Sequence, residues 1–225
     1  MSRERLVVCV DIGEESRHAL APDGSGPSVL DAVKSATSAL VACKAGLGKH
    51  SFAVVALGRE ASVRQGFTTD VAVATSVLEA LAPVGDGSVA GTGFPDADPP
   101  LDLSSVWAAV DGLKTGLPVG DPLPVRVIVI LCRSQVCPTV GAPVLPDARP
   151  VVDVLYVHKP PTTPGTCTQA VFDTLGEAFE TLQSYMFETQ NLGTVHKLAA
   201  TLMANPSGRL PQHDIKYGLR QKAPA

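Results

Sequence analysis

Four short stretches of the chain are apolar at almost every position. They read LVVCVD from residue 6, SFAVVAL from residue 51, VRVIVILC from residue 125 and PVVDVLYVH from residue 150. Continuous Val, Ile and Leu runs of this length are typical of strands that are covered on both faces, as in a parallel sheet. YMFE from residue 185 has a weaker strand pattern, and SVRQG from residue 62 predicts a short edge strand.

Helical periodicity falls between these strand-like runs. Ser28 and Asp31 have the spacing of a capping box, and Gly46 and Gly48 are stop signals for the helix that follows Ser28. Four more helices are predicted, the first of them starting near Thr69 and the last ending at Asn205 and Pro206. The apolar stripes of the five helices are Val29, Val33, Ala36 and Leu40; Val73, Val77, Leu78 and Leu81; Leu103, Val106, Trp107, Val110 and Leu113; Val171, Leu175, Phe179 and Leu182; and Leu192, Val195, Leu198 and Leu202.

Strands that alternate with helices predict an α/β fold. We expect a doubly wound, mostly parallel sheet flanked by helices, a Rossmann-like three-layer sandwich with right-handed crossovers. The length of 225 residues suits one domain, placed over residues 1–205, with a polar C-terminal tail over residues 206–225. Residues 83–100 are rich in Gly, Asp and Pro and predict a long loop.

Composition excludes several classes of partner. A formal net charge of −4 and an aromatic content of 4% give neither the electrostatics nor the stacking surface that nucleic acid needs. The longest apolar stretch, VRVIVILC, is too short to cross a bilayer, so no membrane contact is expected. Five cysteines without a C-x-x-C spacing predict free thiols in a reducing compartment. Because strand-like sequence starts by Leu6, no signal peptide is expected, and the protein is placed in the cytoplasm or nucleus.

The end of the first strand raises the question of a metal site. An apolar run that ends in an aspartate, here Asp11, is how a metal-binding von Willebrand A domain begins, and such a domain continues Asp-x-Ser-x-Ser. The two hydroxyl positions hold Gly13 and Glu15 in this chain, and Ser16 is one residue out of phase. Glycine has no side-chain oxygen, and the longer glutamate arm misplaces its carboxylate for a hard cation. Thr68 or Thr69, in the sequence GFTTD, could still supply a threonine hydroxyl.

The later strand from residue 125 contradicts a working metal site more strongly. Its end should carry an aspartate, but the sequence there reads LCRS, with Arg133 in that place. A guanidinium is always protonated and only donates hydrogen bonds, so it would repel the ion. We therefore expect a degenerate site, without metal or other cofactor, in which an Asp11–Arg133 ion pair occupies the vacated position.

No catalytic constellation is evident, so the chain is not expected to be an enzyme. GLGK from residue 46 resembles the end of a phosphate loop, but it lies between a helix and a strand, the reverse of the order that binds phosphate. Cys132 has no evident histidine or asparagine partner and is expected to be merely buried. The five histidines lack zinc spacing and are expected to be solvated or hydrogen-bonded: His18, His50, His158, His196 and His213.

Several sequence blocks together resemble one family, the von Willebrand A-like MERIT-forty subunit of the BRISC and BRCA-one A deubiquitinase complexes. The blocks occur in the right order and cover nearly the whole chain apart from residues 83–100. They are ERLVVCVDIGEES, KHSFAVVALGREASVRQGFTTD, VRVIVILCRSQVCP, VVDVLYVHKP and VHKLAATLMANPSGRLPQHDIKYGL. The resemblance implies a von Willebrand A-like fold without a working metal site.

The resemblance also implies a role as a non-catalytic scaffold. Members of the family bind the E2-variant-like BRE subunit, in a complex with an Abraxas-type scaffold and a JAMM zinc peptidase that cuts lysine-sixty-three-linked ubiquitin chains. The family's Pro-x-x-Arg motif after the last helix matches Pro206 and Arg209, which are therefore expected to contact the partner. Because strand-like sequence begins close to the first residue, contacts carried by the family's long acidic and serine-rich N-terminal extension are not expected here. Two alternatives stay open: a von Willebrand A domain that binds another protein through a residual metal site, and an α/β enzyme with Cys132 as nucleophile.

Overall fold

The computed structural model describes residues 3–19, 24–84, 100–118, 123–141, 150–179, 183–210 and 212. Within these ranges six strands form one sheet in the order β3-β2-β1-β4-β5-β6. All neighbouring strands pair in parallel except β3, which is antiparallel to β2. The strands are β1 (Arg5–Asp11), β2 (Ser51–Leu57), β3 (Ala61–Thr68), β4 (Val125–Leu131), β5 (Val151–Val157) and β6 (Met186–Thr189).

Helices cover both faces of the sheet, which confirms the three-layer α/β fold. The five α-helices are α1 (Val29–Leu47), α2 (Val71–Glu79), α3 (Ser104–Thr115), α4 (Thr168–Phe179) and α5 (Leu192–Thr201). The buried cores assign α1, α2 and α5 to one face of the sheet and α3 and α4 to the other. In β1, Leu6 and Val8 belong to the first core and Val7 and Cys9 to the second, as the alternation of side chains along a strand requires.

Polar side chains cap three of the helices. The Ser28 hydroxyl accepts a hydrogen bond from the Asp31 N–H at 3.1 Å, so α1 starts where the sequence predicted. Asp70 caps α2 and Asn191 caps α5 in the same way. Gly46 does not end α1, because the helix continues through it to Leu47.

The predicted boundaries are only partly within the described residues. Residues 85–99 of the expected loop, Leu182 of the fourth apolar stripe and most of the expected tail lie outside them. A short 3-10 helix, Pro206–Gly208, follows α5, and the Tyr185 hydroxyl then donates to the Leu210 carbonyl at 2.6 Å. The start of the expected tail therefore packs against the domain. No helix in the described part of the chain is long and apolar enough to span a membrane.

Candidate functional site

The candidate site lies where β1 and β4 meet. The chain winds outward in both directions from this pair, because β2 and β3 lie on one side of β1 and β5 and β6 lie beyond β4. Ligands of open α/β sheets bind beyond the carboxyl ends of the strands at such a switch point. Asp11 is the last residue of β1, and Arg133 follows the end of β4 by two residues.

Asp11 and Arg133 form the ion pair that the sequence predicted. The Arg133 Nε lies 3.1 Å from Asp11 Oδ1 and 3.3 Å from Oδ2. The Arg133 Nη2 donates to two backbone carbonyls at the end of β2, that of Leu57, its last residue, at 3.3 Å and that of Gly58, the next residue. The Asp11 side chain is 0% exposed and the Arg133 side chain is 2% exposed, so the two charges compensate each other away from solvent.

Backbone donors complete the surroundings of the Asp11 carboxylate. The N–H of Gly13 donates to Oδ1, and the N–H of Cys132 donates to Oδ2, each at 2.9 Å. Burial raises the pKa of the Asp11 carboxyl, while the Arg133 guanidinium and these two N–H groups act in the opposite direction. Four donor contacts on two oxygens leave little capacity for a further cation.

Glu15 lies beside this pair but is bonded to a different loop. It belongs to a short 3-10 helix, Glu14–Arg17, and its side chain is buried. Its Oε1 accepts hydrogen bonds from the N–H groups of Ser134 at 2.9 Å and Gln135 at 2.8 Å. Its Oε2 lies 3.8 Å from the Lys159 Nζ. Glu15 therefore fixes the loop after β4.

Thr68 and Thr69 do not join this site, and the structure corrects that expectation. Thr68 is paired with Phe52 at the amino end of β2, whereas Asp11 is paired with Leu57 at the carboxyl end. Five residue steps of β2 separate the two positions, or about 16 Å. The reason is direction: β3 runs antiparallel to β2, so its end lies at the opposite edge of the sheet.

No three His, Cys, Asp or Glu side chains converge as metal ligands among the residues that the structure describes. Of the expected site residues, Asp11, Gly13, Glu15 and Arg133 lie together at the carboxyl edge. The interactions of these residues with one another and with the adjacent loops stabilise this edge of the sheet. The loops after β1 and β4 are joined by charge-assisted hydrogen bonds that occupy both carboxylates.

The surroundings of Cys132 do not favour a nucleophile. The thiol is 4% exposed, and burial, together with the nearby Asp11 carboxylate, raises its pKa well above the ordinary value. A reactive cysteine needs the opposite, an accessible site that favours the thiolate. The structure shows Cys132 and the other four cysteines as free thiols.

Arg209, expected to contact a partner, is directed into its own domain. Its side chain is 3% exposed, and its Nη1 donates to Asp153 Oδ2 at 3.0 Å. Its Nη2 donates to Asp153 Oδ1 and to the Gln183 carbonyl. The guanidinium also lies 3.6 Å from the centre of the Tyr185 ring, within cation–π distance. Pro206 begins the 3-10 helix that leads to this contact.

Asp153 belongs to a buried ionic network at the amino edge of the sheet. This network was not predicted from the sequence. Arg126 Nε donates to Asp153 Oδ2 at 2.7 Å, and Arg126 Nη1 lies 3.9 Å from Glu4 Oε1. Lys44 forms an ion pair with the same Glu4 oxygen. The sequence does indicate such a network, because Arg126 and Asp153 are charged residues in two otherwise apolar strands that are neighbours in the sheet.

His50, His158 and His196 are hydrogen-bonded, as was expected. His50 Nδ1 accepts from the Glu4 N–H at 3.3 Å, and His196 Nε2 lies 3.1 Å from the Ser35 hydroxyl. His158 Nδ1 lies 2.8 Å from the Lys159 carbonyl, which can only accept, so Nδ1 carries the proton. His158 also lines a polar cavity of about 380 Å³ beyond β5 and β6. His213 lies outside the described residues.

Comparison with known proteins shows the fold and not the family. No protein-family model matches the sequence, and no curated protein matches it. Among solved structures, the chain is similar to a von Willebrand factor type A protein from Catenulispora acidiphila, with 14% identity and a TM-score of 0.56 over 92% of this chain and 43% of that one. It is also similar to BatB from Bacteroides thetaiotaomicron, with 13% identity and a TM-score of 0.55 over 89% of this chain and 98% of that one.

A third similar structure is the PilB minor pilin from Streptococcus sanguinis, with 11% identity and a TM-score of 0.59. The match covers 90% of this chain and 61% of the pilin, so the chain spans less than two thirds of that protein. These neighbours establish a von Willebrand A-like fold.

Proposed function

We propose that the chain is a non-catalytic scaffold subunit of a BRISC or BRCA-one A type complex. In this role it binds the E2-variant-like BRE subunit and so supports an Abraxas-type scaffold and a JAMM zinc peptidase that cleaves lysine-sixty-three-linked ubiquitin chains. The support is the ordered set of sequence blocks together with a von Willebrand A-like fold. The proposal includes a location in the cytoplasm and nucleus.

The observation that carries the metal-independent part of the proposal is the buried Asp11–Arg133 pair. An open site for a hard cation at this edge could bind a partner's carboxylate through the ion. In this chain a guanidinium from the same domain lies against Asp11, and both side chains are almost fully buried. Partner contacts are therefore assigned to outer surfaces of the domain.

The expected contact at Arg209 needs revision within this proposal. The Arg209 side chain is 3% exposed and is bound to Asp153. Arg209→Glu would therefore place two carboxylates together inside the domain. Loss of partner binding by that variant would report on folding and not on an interface. Pro206 and Arg209 are better regarded as residues that position the C-terminal segment for a partner.

Affinity purification of the tagged full chain, followed by mass spectrometry, tests the proposal. We expect a JAMM zinc peptidase and an E2-variant subunit to be recovered together. Recovery of neither, from cells that contain both, would contradict it. A different partner, retained only while Mg²⁺ is present, would support the alternative of a von Willebrand A domain with a residual metal site.

A further inference from the structure

The outer edge of β6 is closed by a side chain from the same protein. β6 is the last strand of the sheet. The Tyr185 carbonyl accepts a hydrogen bond from the Val154 N–H of β5 at 2.8 Å, and the Thr189 carbonyl accepts one from the His158 N–H, just after β5, at 3.0 Å. Backbone groups alternate in direction along a strand, so those of Met186 face away from β5. The Met186 N–H donates to Gln212 Oε1, and Gln212 Nε2 donates to the Met186 carbonyl, each at 2.6 Å.

The Gln212 side chain thus makes both hydrogen bonds that a neighbouring strand would make at Met186. A carboxamide has the same donor and acceptor as a peptide group, which is why it can replace one. By the same alternation, Glu188 is the next residue whose backbone faces outward. Any chain that displaced Gln212 would have to offer peptide groups in extended form, which is the chemistry of strand addition.

Residues 206–210, which precede Gln212 in the chain, contact the domain at two further points. Arg209 is bound to the Asp153 carboxylate, which is 0% exposed, and its guanidinium lies over the Tyr185 ring. The Tyr185 hydroxyl donates to the carbonyl of Leu210 at 2.6 Å. Leu210 itself is 63% exposed, so the fastening comes from polar contacts and not from burial of this leucine.

The opposite edge of the sheet, formed by β3, is protected against pairing with another chain by a different feature. The pairing of β3 with β2 shifts register between Val54, which pairs with Gln65, and Val55, which pairs with Val63. Arg64 is therefore an extra residue on β3 at this point. Arg64 is exposed, and a bulge with a charged residue is a common device against pairing between sheet edges. This protection is built into the strand, whereas at the β6 edge the Gln212 side chain provides it.

We propose that residues 206–210 and Gln212 act as a strap, and that the Gln212 amide keeps the β6 edge from pairing with a strand of a second copy. In the intact protein, Gln212 satisfies the outward-facing N–H and carbonyl of Met186 within the chain. Without that amide, the outward-facing backbone groups of Met186 and Glu188 are open to strand addition. This inference does not depend on the proposed scaffold function, because it concerns the chain alone.

Gln212→Ala tests the strap without touching the buried core. Hydrogen exchange of the Met186 amide should become about tenfold faster or more, because its acceptor is lost. The Phe187 amide, which faces β5, should change little. Sedimentation velocity over a concentration series should then show self-association that the unmodified protein does not show.

Gln190→Ala is the matched control, since it removes an exposed glutamine amide just after the same strand. It should leave both the Met186 exchange rate and the sedimentation behaviour unchanged. Unchanged exchange of Met186 in Gln212→Ala would overturn the proposal, because the strap would not be covering the edge. Faster exchange in a variant that stays monomeric at every concentration would overturn it as well.

Discussion

Among the described residues, three arginines compensate the buried aspartates Asp11 and Asp153, which lie toward opposite edges of the sheet. Arg133 is bound to Asp11 beyond the carboxyl ends of the strands, and Arg209 joins Arg126 around Asp153 near the amino ends. Removing one partner of such a pair costs more than the pair contributes, because it leaves a charge without compensation in a low-dielectric interior. These side chains are therefore structural requirements of the fold.

Arg133→Ala should lower the free energy of unfolding by about 3–5 kcal/mol, because Asp11 would keep only its backbone donors. Urea unfolding followed by circular dichroism measures this loss. Arg64→Ala, which removes an exposed arginine from β3, is the control and should change stability by less than about 0.5 kcal/mol. Equal stability of the two variants would show that the pair is dispensable.

His50 should make stability depend on pH. Burial lowers its pKa from the ordinary 6.5, the nearby Lys44 and Arg3 act in the same direction, and Glu4 only partly offsets them. As the pH falls below 6.5, His50 becomes protonated in the unfolded chain while it is still neutral in the folded protein. The contribution of His50 is therefore complete above that pH and is lost as the pH falls toward the lowered pKa.

Urea midpoints at about pH 7.5 and about pH 5.5 test this expectation. The unmodified protein should lose more stability between the two pH values than His50→Gln, which keeps an acceptor for the Glu4 N–H but does not titrate. Equal losses in the two proteins would exclude His50 as a source of the pH dependence.

The direction of one strand decided which of the expected site residues come together. Apolar runs and caps were enough to predict β1, β2, β4 and β5 and the start of α1, because burial on two faces and the capping hydroxyl leave direct marks on the sequence. The antiparallel direction of β3 leaves no such mark, so Thr68 was placed at the wrong edge.

The cap of α2 offers a test of how much one side chain contributes to a short helix. Asp70 Oδ1 accepts from the N–H groups of Ala72 at 2.9 Å and Val73 at 3.3 Å. Asp70→Ala should cost about 1 kcal/mol of stability, measured by urea unfolding. Asp111→Ala, in the exposed middle of α3, should cost less than about 0.5 kcal/mol. A similar cost for both would show that the cap adds nothing beyond a surface charge.

The molecule as a whole has a von Willebrand A-like fold, and a buried ion pair lies at the carboxyl edge of its sheet. The sequence predicted the Asp11–Arg133 pair, because Asp11 ends one of the two strands that meet at the switch point and Arg133 follows the other. It could not place Arg209, because the tail's path back to Asp153 on β5 depends on packing across 56 residues of chain. Contacts of that kind follow from the assembled fold and not from local pattern.

Titration calorimetry with Mg²⁺ and Mn²⁺ tests the central claim that a guanidinium stands where an ion would be bound. The account predicts no binding heat for the unmodified protein with either ion, because Arg133 and two backbone N–H groups already occupy the Asp11 carboxylate. Micromolar binding of either ion, abolished by Asp11→Asn, would contradict it.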